Sequence, residues 1–173
     1  MGIYIDKGNA DFQSSLSSEY IDKTGLIGVV NRTLATRARF TCVTRCRRFG
    51  KSMAAEMLCA YYDRTCDSHA LFDKYAIAKD ETYEQHINQY PVLYVDMQGF
   101  VARYRDESII DHLQREVMAD VQESFPDVPT KDDDDLMAYL QRVVLKTKKQ
   151  FIFIIDEWDA ICRDLPIAMD KYV

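Results

Sequence analysis

The stretch Phe40-Thr41-Cys42-Val43-Thr44-Arg45-Cys46-Arg47-Arg48-Phe49-Gly50-Lys51-Ser52 decides how the chain reads. Residues 40–44 are short, apolar and β-branched, which predicts a buried strand. A polar loop follows and ends in glycine. From Lys51 the period changes: Ala54, Met57, Leu58 and Tyr61 fall on one face of a helix running to about Asp63. Strand, loop and helix in this order make a cradle for phosphate, because the N–H groups at a helix N-terminus face an anion. Gly50 lets the main chain come close, the Lys51 ammonium suits β- and γ-phosphate oxygens, and the Ser52 hydroxyl suits magnesium. The nucleotide-binding set is therefore Arg45, Cys46, Arg47, Arg48, Phe49, Gly50, Lys51, Ser52 and Met53. The general pattern carries a further glycine five residues before Gly50, where this chain has Arg45.

A second motif answers the first. Phe151-Ile152-Phe153-Ile154-Ile155 is apolar throughout and is stopped by Asp156-Glu157. Asp156 at the end of a buried strand suits magnesium, directly or through water. Glu157 suits polarisation of an attacking water, which makes Glu157 and Lys51 the candidate catalytic pair and Ser52 and Asp156 the candidate metal ligands. Alone, such a strand end is commonly an acidic turn. Downstream of a phosphate loop it gains weight, because both strand ends must meet at one edge of a sheet.

The rest of the chain supports an α/β arrangement. Residues 1–22 read as an irregular lead-in with a short apolar run at residues 3–5. Leu26, Val29, Val30 and Leu34 give residues 24–34 helical spacing, weakened by Gly25 and Gly28. A short helix is expected near residues 81–88 and a second buried strand at residues 92–95. Ser108 starts a helix carrying Ile110, Leu113, Val117 and Val121. Residues 132–135 are four acids ahead of the stripe Leu136, Tyr139, Leu140, Val143 and Val144, and they complement the positive end of that helix's dipole; a metal site there is the lesser reading. Apolar strands that alternate with helices point to a parallel sheet covered on both faces.

Composition narrows the function classes. The length of 173 residues suits one domain, and a net charge of -6 argues against a wholly basic nucleic-acid surface. The start of the chain has no apolar signal core, and no run approaches the ~18 residues of a membrane helix. The cysteines Cys42, Cys46, Cys59, Cys66 and Cys162 form no Cys-x-x-Cys pair, so reduced thiols in a cytoplasm are expected, with Cys42 a strand residue and Cys46 a loop residue. Arg32, Arg37 and Arg39 read as a solvated patch, whereas Arg47 and Arg48 lie where phosphate would sit.

The segments Tyr20-Ile21-Asp22-Lys23-Thr24, Thr44 to Ser52 and Asp156-Glu157-Trp158-Asp159 together resemble the predicted AAA-ATPase-like family. Its members show an Asp-Lys-Thr element, an Arg-Pro-Arg-Arg-Phe-Gly-Lys-Ser loop and an Asp-Glu-aromatic-Asp strand end. The resemblance spans residues 11 to about 160, and the family loop also lacks the first glycine. Cys46 replaces the usual proline, which loosens the backbone and removes no phosphate donor. The resemblance implies a P-loop NTPase, a three-layer α/β/α sandwich with a mostly parallel sheet, using ATP and magnesium. It implies that residues 1–173 are a single AAA-like P-loop ATPase domain, its N-terminal part, without the lid and nuclease-like domain through which members are linked to nucleic acid. Only 16 residues follow Glu157, so the strand expected between the two motif strands would be missing, the sheet incomplete, and the chain prone to self-association.

Four functions stay open at this point. They are an Mg-ATP hydrolase serving as motor or switch, a module that holds nucleotide without turnover, a small-molecule kinase on the same scaffold, and a nucleic-acid-linked role by family analogy alone. The glutamate straight after Asp156 favours water as the acceptor over a kinase substrate.

Overall fold

The computed structural model describes residues 2–17, 19–44, 49–105, 108–132 and 134–164. The chain divides into two compact units, one of Lys7–Val92 and one of Met1–Asp6 with Leu93–Val173.

The Lys7–Val92 unit is helical among its described residues. It contains α1 (Ala10–Ser15), α2 (Gly25–Asn31), α3 (Lys51–Tyr62), α4 (His69–Phe72), a 3-10 turn at Ala76–Lys79 and α5 (Tyr83–His86). The expected stripe of α3 is realised: Ala54, Met57 and Tyr61 are buried, with Tyr62 beside them. Phe12 of α1 and Phe72 of α4 stack at 5.3 Å, and Tyr61 meets Phe72 edge-on at 5.5 Å. Buried tyrosine hydroxyls need partners, and both find them. Tyr61 donates to the Tyr83 carbonyl at 2.8 Å, and Tyr62 to the Asn31 side chain at 2.6 Å. Asn88, at a φ of 54°, closes the C-terminal end of α3: its amide nitrogen donates to the Asp63 carbonyl at 2.6 Å, and its side-chain oxygen accepts from the Ser68 N–H at 2.9 Å.

Several expectations change here. Residues 40–44 form no strand. All five are exposed, Phe40 to 84%, with the Arg39 guanidinium 5.0 Å from its ring. No described strand lies beside them, and a strand without a hydrogen-bonded neighbour is not stable in water. Cys42 is accordingly an exposed residue outside any strand. The helix expected over residues 24–34 is shorter, Gly25–Asn31. Residues 1–22 are not wholly irregular, since they supply α1 and the strand-like contact of Ile5.

The other unit holds β1 (Val92–Asp96) from Leu93 onward, α6 (Met97–Arg103), α7 (Ile109–Ser124), α8 (Leu136–Thr147), β2 (Ile152–Asp156) and α9 (Ala160–Asp164). β1 and β2 pair as a two-stranded parallel sheet. Ile5 adds an antiparallel bridge to Leu93. The core gathers Ile5, Leu93, Val95, Phe100, Val117, Val121, Tyr139, Leu140 and Val143. β1 is buried along its apolar length, but β2 alternates. Ile154 is inside, while Phe153 and Ile155 are 57% and 56% exposed. The sheet is thus covered on one face of β2 and open on the other, against the expectation of cover on both.

The acids ahead of α8 have structural employment. Asp135 accepts from the Ala138 N–H at 2.7 Å and caps the helix. Asp134 accepts from Lys131 N–H at 2.7 Å and forms an ion pair with Arg142. Among the described residues no group of three or more His, Cys, Asp or Glu could hold a metal ion by itself. Ser108 stands at the head of α7, yet its hydroxyl makes no cap bond there and lies 3.3 Å from the His112 ring.

Candidate functional site

The site residues fall into two groups, one in each unit. In the Lys7–Val92 unit, Gly50 occupies the left-handed region, at φ 73° and ψ 39°, and heads α3 directly. A side chain there would be strained. It would also collide: a Cβ at position 50 would stand 2.5 Å from the Lys23 ammonium. Lys51, Ser52 and Met53 then form the first helical turn, whose N–H groups the helix geometry directs outward. Gly50, as the N-cap residue, brings no side chain to cap this end. Ser52 is exposed, and Lys51 and Met53 are half-buried. Arg45, Cys46, Arg47 and Arg48 lie outside the described residues.

The turn at residues 22–24 meets this loop end. Lys23 donates its ammonium to the Phe49 carbonyl at 3.0 Å. Its neighbours fix its backbone. Asp22 Oδ1 accepts from the Thr24 N–H at 2.8 Å and hydroxyl at 2.7 Å, and Asp22 Oδ2 accepts from the Ala76 N–H at 3.0 Å. Thr24, fully buried, accepts in turn from the Ile77 N–H at 3.2 Å. Burial opposes the charge on Asp22, but the bonds from Thr24 and Ala76 outweigh it and hold the carboxyl below its usual range. The sequence marked these residues as an element without disclosing what they touch.

In the other unit, Asp156 closes β2, buried to 8% exposure, and its Oδ1 accepts the Glu157 N–H at 3.0 Å. Glu157 takes a positive φ of 49°, uncommon for a residue with a side chain. The turn it makes throws its carboxylate toward α9, where Arg163 Nη1 lies 3.5 Å away. Arg163 also reaches Asp159 at 3.0 Å and Asp164 at 3.3 Å. Parallel pairing puts the ends of β1 and β2 at one edge, so Asp96 stands there too, accepting from the Gln98 N–H at 3.0 Å and capping α6. Two neighbours of these candidate residues were thus missed in the sequence. Asp96 carries the same signal as Asp156, an acid straight after an apolar run. Arg163 carries none, being one arginine among many until α9 folds it back.

No curated protein and no solved structure matches the chain. The profile of the family described as Predicted AAA-ATPase (AAA-ATPase_like) matches residues 8–170, nearly the whole length and both groups of site residues. The chain belongs to the predicted AAA-ATPase family.

Proposed function

We propose that the chain is an Mg-ATP-binding P-loop module that hydrolyses the β–γ phosphoanhydride. The observation that carries this is the left-handed Gly50 feeding straight into the 12-residue α3 with Lys51 and Ser52 at its head. Anions are stabilised at such a helix end by its free N–H groups and dipole. Residues 45–53 would wrap the phosphates, with the Lys51 ammonium donating to the β- and γ-oxygens. The Ser52 hydroxyl and the Asp156 carboxylate are hard oxygen donors of the kind magnesium takes. Magnesium, when bound, neutralises charge on the β- and γ-oxygens. Glu157 would accept a proton from the attacking water. On this reading residues 1–173 belong to one ATPase domain of α/β/α sandwich type.

A second reading, binding without turnover, is favoured by one observation. The Glu157 carboxylate already has an ion-pair partner in Arg163 at 3.5 Å, and a carboxylate engaged there is turned away from the task of positioning a water.

Titrating Mg-ATP into the folded chain by calorimetry, beside Lys51→Ala, tests the proposal. Micromolar binding that Lys51→Ala abolishes is the expected result. Equal binding by both proteins removes the phosphate loop from the reading. Phosphate release at a steady rate then separates hydrolysis from mere binding, and phosphate appearing on an acceptor would point to a kinase.

A further inference from the structure

We infer that Lys23 is a positioning residue for the nucleotide site, one that sets the direction of the Gly50 N–H by holding the Phe49 carbonyl. The inference rests on the proposed nucleotide reading and adds to it a residue with a stated task.

A trans peptide is planar, and its C=O and N–H point in opposite directions. Whatever grips the Phe49 carbonyl therefore aims the Gly50 N–H the other way. The Lys23 ammonium grips it at 3.0 Å. Among the described residues no acceptor takes the Gly50 N–H. The same ammonium stands on the side of Gly50 where a Cβ would be, at 2.5 Å. Lysine and glycine thus occupy one place: the absent side chain makes room for the cation that orients the peptide.

The grip has a firm base. Asp22 and Thr24 flank Lys23 and are tied to the start of the 3-10 turn through the Ala76 and Ile77 N–H groups. The Lys23 N–H donates to the Tyr20 hydroxyl at 3.3 Å, and that hydroxyl reaches the Met57 sulfur of α3 at 3.4 Å. The helix that carries Lys51 and the turn that carries Lys23 are thereby braced against each other. A carbonyl turned inward would repel phosphate, whereas an N–H turned inward attracts it. A lysine outside the loop favours the second state by a charge-assisted hydrogen bond.

Two ways of using Lys23 differ in what they predict. A peptide-orienting lysine serves the bound phosphates whether two or three are present. A lysine that itself contacts the terminal phosphate serves ATP and not ADP. The test is calorimetry with Mg-ATP and Mg-ADP on wild type, Lys23→Met and Lys23→Arg, with thermal melts. It is joined by the carbonyl-carbon resonance of Phe49 in the nucleotide-free proteins. Lys23→Met is expected to weaken both nucleotides about tenfold, with an unchanged melt, and to move the Phe49 resonance. Lys23→Arg, which can also donate to a carbonyl, is expected to restore most of the affinity. Loss confined to ATP, or no loss with an unmoved Phe49 resonance, overturns the inference. A wild type that binds neither nucleotide sinks the nucleotide reading instead. The Phe49 resonance still decides whether Lys23 holds the peptide.

Discussion

Two segments of similar composition lead into the two groups of site residues, and they are built differently. Ile152–Asp156 is a strand with β1 beside it, Ile154 in the core and Asp156 buried at its end. Residues 40–44 are exposed and form no strand, with no strand beside them among the described residues. Both runs are rich in β-branched and aromatic residues, so intrinsic preference does not separate them. A neighbour does: strand preference is largely the packing and pairing that a partner supplies. Where residues 40–44 have none, the loop end is held from elsewhere, by Lys23 and the Asp22–Thr24 hydrogen bonds.

The difference can be tested at four sites. The largest effect belongs to the strand side. Glu157→Gln should slow phosphate release about 100- to 10,000-fold while leaving Mg-ATP affinity nearly as it was. Calorimetry and a phosphate assay read both quantities, and undiminished turnover would place water activation on another residue. Next comes Ile154→Ala, which removes a buried side chain from β2 and should cost about 2–5 kcal/mol in urea unfolding. A cost near zero would mean that β2 is no better anchored than residues 40–44.

Third is the turn that holds the loop. Asp22→Asn should lower stability by about 1 kcal/mol, a modest figure because the carboxylate is largely in solvent. Its pH dependence has a definite sign. The folded-state carboxyl titrates below the unfolded value of about 3.9. The advantage of wild type over Asp22→Asn is therefore complete above about pH 4 and shrinks as pH falls through the folded value. Paired melts across that range would show it, and a difference growing toward low pH would refute the assigned hydrogen bonds. The smallest effect is Phe40→Ala, expected within about 0.5 kcal/mol, since the ring is 84% exposed. A loss like that of Ile154→Ala would show that residues 40–44 are buried in solution.

The long helices α3, α7 and α8 were legible because a stripe repeats over several turns, and 3.6-residue spacing then stands out. β1 and β2 were legible as short apolar runs. Shorter pieces were not. α1, α6 and α9 span 6, 7 and 5 residues, too few for a period to declare itself. Pairings distant in sequence were hidden as well. Nothing local in Ile5 names Leu93, and nothing in Lys23 names Phe49. At the candidate site, Gly50, Lys51, Ser52, Asp156 and Glu157 were singled out by residue type and order alone. The supports, Lys23 below the loop and Arg163 beside Glu157, depended on how the chain folds back.

The division into Lys7–Val92 and the two pieces around it bears on translation. Residues 3–5 are synthesised well before their partners, Tyr94 and Asp120. Ile3, Tyr4 and Ile5 give their N–H groups to Asp120 at 3.1, 2.6 and 2.9 Å, and the Tyr94 N–H bonds the Tyr4 carbonyl at 2.7 Å. At ~5–20 residues per second, that wait is on the order of ten seconds. The contiguous segment can fold meanwhile, and residues 3–5 stay unclaimed until Tyr94 and Asp120 have emerged. Deleting residues 3–5 would thus harm the unit that contains Asp120 and spare Lys7–Val92.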